Sequence, residues 1–114
     1  MKTFESYSVP LIANIETRGG QLIVMSLDNR EIMRKTLLGG ETLMGFSSDV
    51  IVIARQGYIS SYTAEFKMIA TMNIYDGDYM RGVIGPNILV YRSRGNYLAT
   101  YDKNFREITR RYAR

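Results

Sequence analysis

The residues best suited to chemistry are acids and arginines, because the chain has no histidine and no cysteine. Asp76-Gly77-Asp78 sets two carboxylates either side of a glycine, which could offer oxygen to a hard cation. It lacks the further spaced ligands of a calcium loop, so it reads first as a turn. Glu41 lies at the matching point of an earlier, similar segment, and Glu41 with Asp78 could in principle make an acid–base pair. Recurrence argues otherwise: a catalytic group is normally unique in a chain, whereas a recurring one marks structure. The missing histidine removes the commonest general base and metal ligand. The missing cysteine removes disulfides and thiolate sites. No nucleophile elbow, phosphate-cradling loop or zinc signature is present. The expectation is a protein that is not an enzyme, with no catalytic residue, no metal and no cofactor.

The arginines form a clearer pattern. Arg18-Gly19, Arg55-Gln56-Gly57 and Arg92-Ser93-Arg94-Gly95 place at least one Arg before a glycine at regular intervals. Solvated surface charge is the plain reading, since exposed ion pairs contribute only about 0–1 kcal/mol each. The functional reading is a ring of positive charge that binds an anionic protein or ligand, with Arg18, Arg55, Arg92 and Arg94 as candidates. A second basic cluster, Arg106, Arg110, Arg111 and Arg114, closes the sequence. On a last, outer strand it would blunt an exposed sheet edge. Nucleic-acid binding is the alternative, although there is no aromatic RNA-recognition motif and no recognition helix.

These residues must be positioned by something periodic. Tyr58, Tyr62, Phe66 and Ile69 return as Tyr97, Tyr101, Phe105 and Ile108, and Gly57 matches both Gly19 and Gly95. The segment Gly40–Phe46 resembles Gly77–Val83. Similarity at a fixed period is read before anything else. Three periods of about 38 residues account for the chain as one domain, with repeats over about 1–38, 39–76 and 77–114. The composition, 46% hydrophobic and 23% charged, is enough to bury a core. No apolar run approaches the ~18 residues of a membrane span, and the first residues lack a signal-peptide pattern. A cytoplasmic protein without membrane contact is expected. The net charge of +4 permits an acidic partner without demanding one.

The middle repeat shows four strand signals, Thr42–Phe46, Val50–Ala54, Tyr58–Tyr62 and Phe66–Met72, separated by short polar turns. Val50 to Ile53 is apolar without a break, as in a strand covered on both faces. Gly19-Gly20 and Arg94-Gly95-Asn96 supply residues that tolerate positive φ in tight hairpins. The only helical window, Asp28 to Leu37, carries charge on all sides and aligns with strands elsewhere. Gly57 and Gly95 should lie in turns between second and third strands. Phe66, Phe105, Ile69 and Ile108 should be mostly buried at equivalent places.

Four strands per unit of this length, with Asp49–Val52 leading into Tyr58–Tyr62 and an aromatic-Asp step at Tyr101-Asp102, resembles the β-propeller repeat superfamily (WD40-like and YVTN/NHL-like blades). The resemblance implies an all-β fold and three blades of four strands. Three blades cannot close a ring, so the expectation is half of a six-bladed propeller, completed as a homodimer. In that assembly Leu22, Val24 and Ile32 of one subunit approach Leu98, Tyr101 and Ile108 of the other. The alternative fold is a β-trefoil, which also has three four-stranded repeats. Tyr7, Tyr79 and Arg81 would lie on the innermost strands of a propeller and line its channel, where they could form a ligand platform. Most of the other tyrosines would pack between blades. The function expected is that of a homo-oligomeric interaction scaffold. A lectin-like carbohydrate or small-ligand binder is the alternative, and a nucleic-acid binder acting through the basic turns comes third.

Overall fold

The computed structural model describes residues 11–113. Among them there are eleven strands and no helix. The first repeat contributes β1 (Asn14–Arg18), β2 (Gln21–Met25) and β3 (Glu31–Thr36). The second contributes β4 (Thr42–Phe46), β5 (Ile51–Arg55), β6 (Tyr58–Tyr62) and β7 (Met68–Asn73). The third contributes β8 (Tyr79–Ile84), β9 (Asn87–Arg92), β10 (Tyr97–Tyr101) and β11 (Glu107–Tyr112). The would-be innermost strand of the first repeat, with the candidate Tyr7, falls outside the described residues. The window Asp28 to Leu37 is a turn followed by β3, as the repeat requires.

Each sheet is an antiparallel meander made from one repeat, in the orders β1-β2-β3, β4-β5-β6-β7 and β8-β9-β10-β11. Among the described residues, no strand hydrogen-bonds to a strand of another repeat. That overturns the trefoil alternative, which needs a barrel shared between repeats. The sheets instead stack face to face, and the inner strands β4 and β8 come together. Gly45 permits that approach, since a Cβ there would sit 3.2 Å from Val83 Cγ2.

Strand alternation sorts the core into two layers. Ile51 and Ile53 of β5 face the first sheet, where they meet Leu22, Val24 and Ile15. Val50 and Val52 face the third sheet, where they meet Ile88, Val90 and Ala99. All four residues from Val50 to Ile53 are buried, so the unbroken apolar run does mark a strand covered on both sides. Hydrogen bonds stitch the sheets at their rims. Ser47 Oγ donates to the Gly85 carbonyl at 2.5 Å, Ser61 Oγ to the Lys103 carbonyl at 2.6 Å, and the Ile12 N–H to the Ser48 carbonyl at 3.1 Å.

The repeat extends to irregularities. A β-bulge inserts Ile32, Ile69 and Ile108 at the same point of the three outer strands. Before each lies a turn whose positive-φ position is held by Asn29 (64°), Phe66 (60°) and Phe105 (59°). Ser26, Thr63 and Asp102 close these turns by accepting the N–H of Arg30, Lys67 and Arg106 at 3.2, 3.1 and 3.0 Å. A phenylalanine at positive φ is strained. Its ring offsets the strain by meeting the preceding tyrosine edge-on, with centroids 6.3 Å apart for both Tyr62–Phe66 and Tyr101–Phe105. Both Phe rings are half-buried against the core rather than enclosed. Phe105→Ala is therefore expected to cost about 2 kcal/mol in urea unfolding, below the ~3–5 kcal/mol of a fully enclosed ring.

Two expectations need correction. Ile69 is half-buried, but Ile108 is 52% exposed, because among the described residues no sheet covers the outward side of the third repeat. Leu22, Val24 and Tyr101 were expected at a subunit contact. They are instead buried inside the chain, since alternation turns them toward the second sheet. Gly57 and Gly95 lie in the turns between second and third strands, as expected.

Candidate functional site

Arg18, Arg55 and Arg92 each end the first of two paired strands, β1, β5 and β9, at the same repeat position. Their surroundings differ. Arg18 pairs with Glu16 at 2.8 Å on the outward face of the first sheet. Arg92 pairs with Asp78 at 3.0 Å and donates to the Asn73 carbonyl at 3.0 Å. Arg55 is exposed, and among the described residues no carboxylate lies within ion-pair distance of it.

The connections between sheets explain the difference. In each, an acid folds the linker by accepting a backbone N–H three residues earlier. Glu41 accepts from Leu38 at 2.8 Å, and Asp78 accepts from Tyr75 at 3.1 Å. Asp78 also accepts the Ser93 N–H at 2.8 Å. The Asp78 side chain is only 3% exposed and that of Glu41 8%. Burial disfavours the charged form of both. It is outweighed at Asp78 by the Ser93 and Tyr75 N–H groups and Arg92, and at Glu41 by the Leu38 N–H, Lys35 and the more distant charge of Arg55, so both carboxyls titrate below their ordinary range. Glu41 takes its cation from Lys35 at 3.1 Å, on β3. The register position of Lys35 is held in β7 by Met72, as the pairings Leu22–Lys35 and Ile59–Met72 show. No lysine is there to serve Asp78, so Arg92 does. Among the described residues Arg55 makes no ion pair, and it acts on Glu41 only as a more distant charge beside Lys35.

Gly77 is forced by the same connection. Its φ is +88°, and an added Cβ would lie 2.7 Å from Ser93 Oγ, the hydroxyl that donates to the Asp76 carbonyl at 2.8 Å. Asp76-Gly77-Asp78 is thus a structural turn, not a cation loop. No group of three or more acidic side chains comes together among the described residues.

Of the candidate arginines, Arg92 is thus committed to Asp78. Arg94, in the turn after β9, lies 5.0 Å from the centre of the Tyr75 ring. Arg81 is exposed on β8 at the bulge position that Met44 occupies in β4. Tyr79 begins β8, half-exposed, its ring 5.1 Å from that of Tyr91. β8, which carries Tyr79 and Arg81, is an edge strand of its sheet. In the basic C-terminal cluster, Arg110 is held bidentate by Glu107 and lies 4.0 Å over the Tyr97 ring on the exposed edge strand β11.

The structure does bring two candidates together. Arg55 and Tyr79 line one cleft of about 160 Å³ between the second and third sheets. Its walls are Met44, Ile59, Ile74 and Met80, with Tyr58 beside Arg55. The sequence reading missed both methionines and Tyr58. Only the bulge that turns Met44 aside from the β4–β5 register could have singled it out, and bulges leave little trace in sequence.

Comparison with known proteins adds little. No protein-family model matches the chain, and no curated protein matches it. Among solved structures it is similar to that of BamB from Moraxella catarrhalis, at 11% identity and a TM-score of 0.49. That match covers 89% of this chain and 35% of the other, so the chain spans about a third of that protein's length. A likeness at this level carries no argument, and the fold rests on the strand pairing described above.

Proposed function

We propose that this is a non-enzymatic interaction protein that works as a homo-oligomeric scaffold of blade-type repeats, the second copy seating on the outward face of the third sheet. The observation that supports this is a set of matched positions. Val52 and Ile59 are 0% and 2% exposed against the next sheet. Their counterparts Leu89 and Leu98 are only half-buried, and Ile108 lies open. A face built to be covered is left uncovered, and such apolar patches associate.

The opposite end differs in kind. Where the second and third sheets present Ile51, Ile53 and Ile88, Val90 to the preceding sheet, the first presents Asn14 and Glu16. On the same face Arg34 pairs with Glu31 at 2.6 Å. A polar outer face is what a capping repeat carries. Closing a six-bladed ring, third sheet on first, would desolvate these ion pairs against leucines. Third sheet on third buries apolar surface on both sides by a two-fold axis.

Sedimentation velocity checks this. The wild-type chain is expected to be a dimer at micromolar concentration. Leu98→Glu with Ile108→Glu should weaken the dimer by about two orders of magnitude without changing the far-UV spectrum. Glu16→Lys should leave it intact, whereas a ring closed through the first sheet would lose it. A wild-type monomer overturns the proposal.

A further inference from the structure

The third repeat departs from the other two in its charge and in one turn, and the departures coincide. Residues 77–114 carry eight Arg and Lys against three Asp and Glu, a net +5, whereas residues 1–76 carry seven against eight, a net −1. The turn between β9 and β10 has four residues, Ser93 to Asn96, where β1–β2 and β5–β6 are joined by two. In repeat proteins such insertions gather on a binding face. We infer that this turn and the strand ends beside it bind single-stranded nucleic acid, with Arg94 holding a phosphate and the exposed rings of Tyr75 and Tyr112 taking bases. The site goes beyond the scaffold role proposed above and does not depend on it.

Three observations support it. First, the turn is pinned at both ends while its cation is left unpaired. Ser93 donates its N–H to Asp78 at 2.8 Å and its hydroxyl to the Asp76 carbonyl at 2.8 Å. Asn96 accepts from the Tyr91 hydroxyl at 2.5 Å, and its carbonyl accepts the Ala113 N–H at 2.8 Å. Between these anchors Arg94 is exposed, and among the described residues no carboxylate lies within ion-pair distance of it. Its guanidinium lies 5.0 Å from the centre of the Tyr75 ring. A guanidinium held over an aromatic face keeps its fork of N–H donors for a phosphate. Second, arginines and tyrosines alternate in space from there to the sheet edge. Arg94, Tyr75 and Tyr97 line one cavity of about 120 Å³. Strand register puts Tyr97, Arg110 and Tyr112 on one face, where Arg110 lies 4.0 Å over the Tyr97 ring and Tyr112 meets that ring edge-on at 5.5 Å. Tyr75 is 46% exposed and Tyr112 59%. Arg92 and Arg110 are matched by Asp78 and Glu107, so they support the rings while Arg94 supplies the free charge. Third, this row lies on the side of the third sheet that faces the second sheet, so a copy seated on the outward face leaves it open. Basic surfaces interleaved with open aromatic rings suit single strands, because every base has a face to stack. An acidic protein would need the charge but not the rings.

Fluorescence anisotropy with labelled oligothymidylate and oligouridylate, over a range of salt, tests this. Polyglutamate serves as the polyanion without bases. Wild type is expected to bind a nucleic acid strand at least about tenfold tighter than polyglutamate. The tighter of the two strands identifies DNA or RNA as the natural ligand. Arg94→Gln should weaken binding and lower the slope of log affinity against log salt by about 0.7, the share of one phosphate contact on a single strand. Tyr75→Leu should bind about tenfold more weakly, and Tyr75→Phe close to wild type. Arg106→Gln removes the same charge from an exposed position just before β11, at the far end of the sheet. A strand's length exceeds the Debye length of about 8 Å at physiological salt, so that variant should bind within about twofold of wild type. No binding by wild type, polyglutamate bound as tightly as either strand, or equal losses in Arg94→Gln and Arg106→Gln overturns the inference. The dimer is read separately by sedimentation, so either proposal can fail alone.

Discussion

Replacing Asp78 with alanine is expected to cost about 3–5 kcal/mol of folding free energy, read as the shift in the urea midpoint. The carboxylate is 3% exposed and takes hydrogen bonds from Arg92, Ser93 and Tyr75. Alanine leaves two backbone N–H groups without their acceptor. It also strands the Arg92 guanidinium, itself only 17% exposed, without its counter-charge. If that stranded charge makes up much of the loss, adding Arg92→Met to Asp78→Ala should recover part of it. Failure to recover any would assign the loss to the backbone groups instead. The same carboxyl sets a pH dependence. Its pKa is lowered in the folded chain, so the unfolded chain takes up the proton first as pH falls. The stability it supplies is complete above the unfolded value of about 4 and drains away as pH falls through the lower folded value. Glu41 acts in the same direction. Stability should therefore fall below about pH 4.5, and less steeply in Asp78→Ala than in wild type.

Ile53→Ala is expected to cost about 2–5 kcal/mol, because the side chain is 2% exposed between the first and second sheets. Strands on both sides of β5 fix its position, so the cavity cannot collapse. Ile108→Ala is the matched control. It removes an isoleucine from a strand of the same repeat architecture, but from a site 52% exposed. In the dissociated chain it should cost within about 0.5 kcal/mol. Equilibrium unfolding of both variants tests whether burial, and not residue type, sets the cost. Similar losses in both would mean that the outward face of the third sheet is covered even in the single chain.

Much of this was legible in the residues. The unbroken Val50–Ile53 run marks a strand covered on both faces because alternation leaves no other way to bury four consecutive apolar side chains. The recurrence of Tyr62 and Phe66 as Tyr101 and Phe105 records a turn that must be rebuilt in each repeat, down to the same positive φ. Gly57 marks a hairpin because its positive φ strains other residues, and Gly95 because a Cβ there would run into the Tyr97 ring. These are local constraints, and local constraints leave their trace in sequence.

What the sequence could not decide was which neighbour each side chain meets. A one-residue change of face separates Leu22 buried in its own chain from Leu22 at a subunit contact, and apolar character is the same in both. The fate of the arginines is likewise tertiary. Arg18, Arg55 and Arg92 occupy one repeat position, yet Arg18 pairs with Glu16 and Arg92 with Asp78, while Arg55 has no carboxylate within ion-pair distance among the described residues. That depends on Lys35, a residue of another sheet, reaching Glu41. Charge and spacing determine where an arginine sits along a strand. Which carboxylate has already been taken is decided only when the sheets stack.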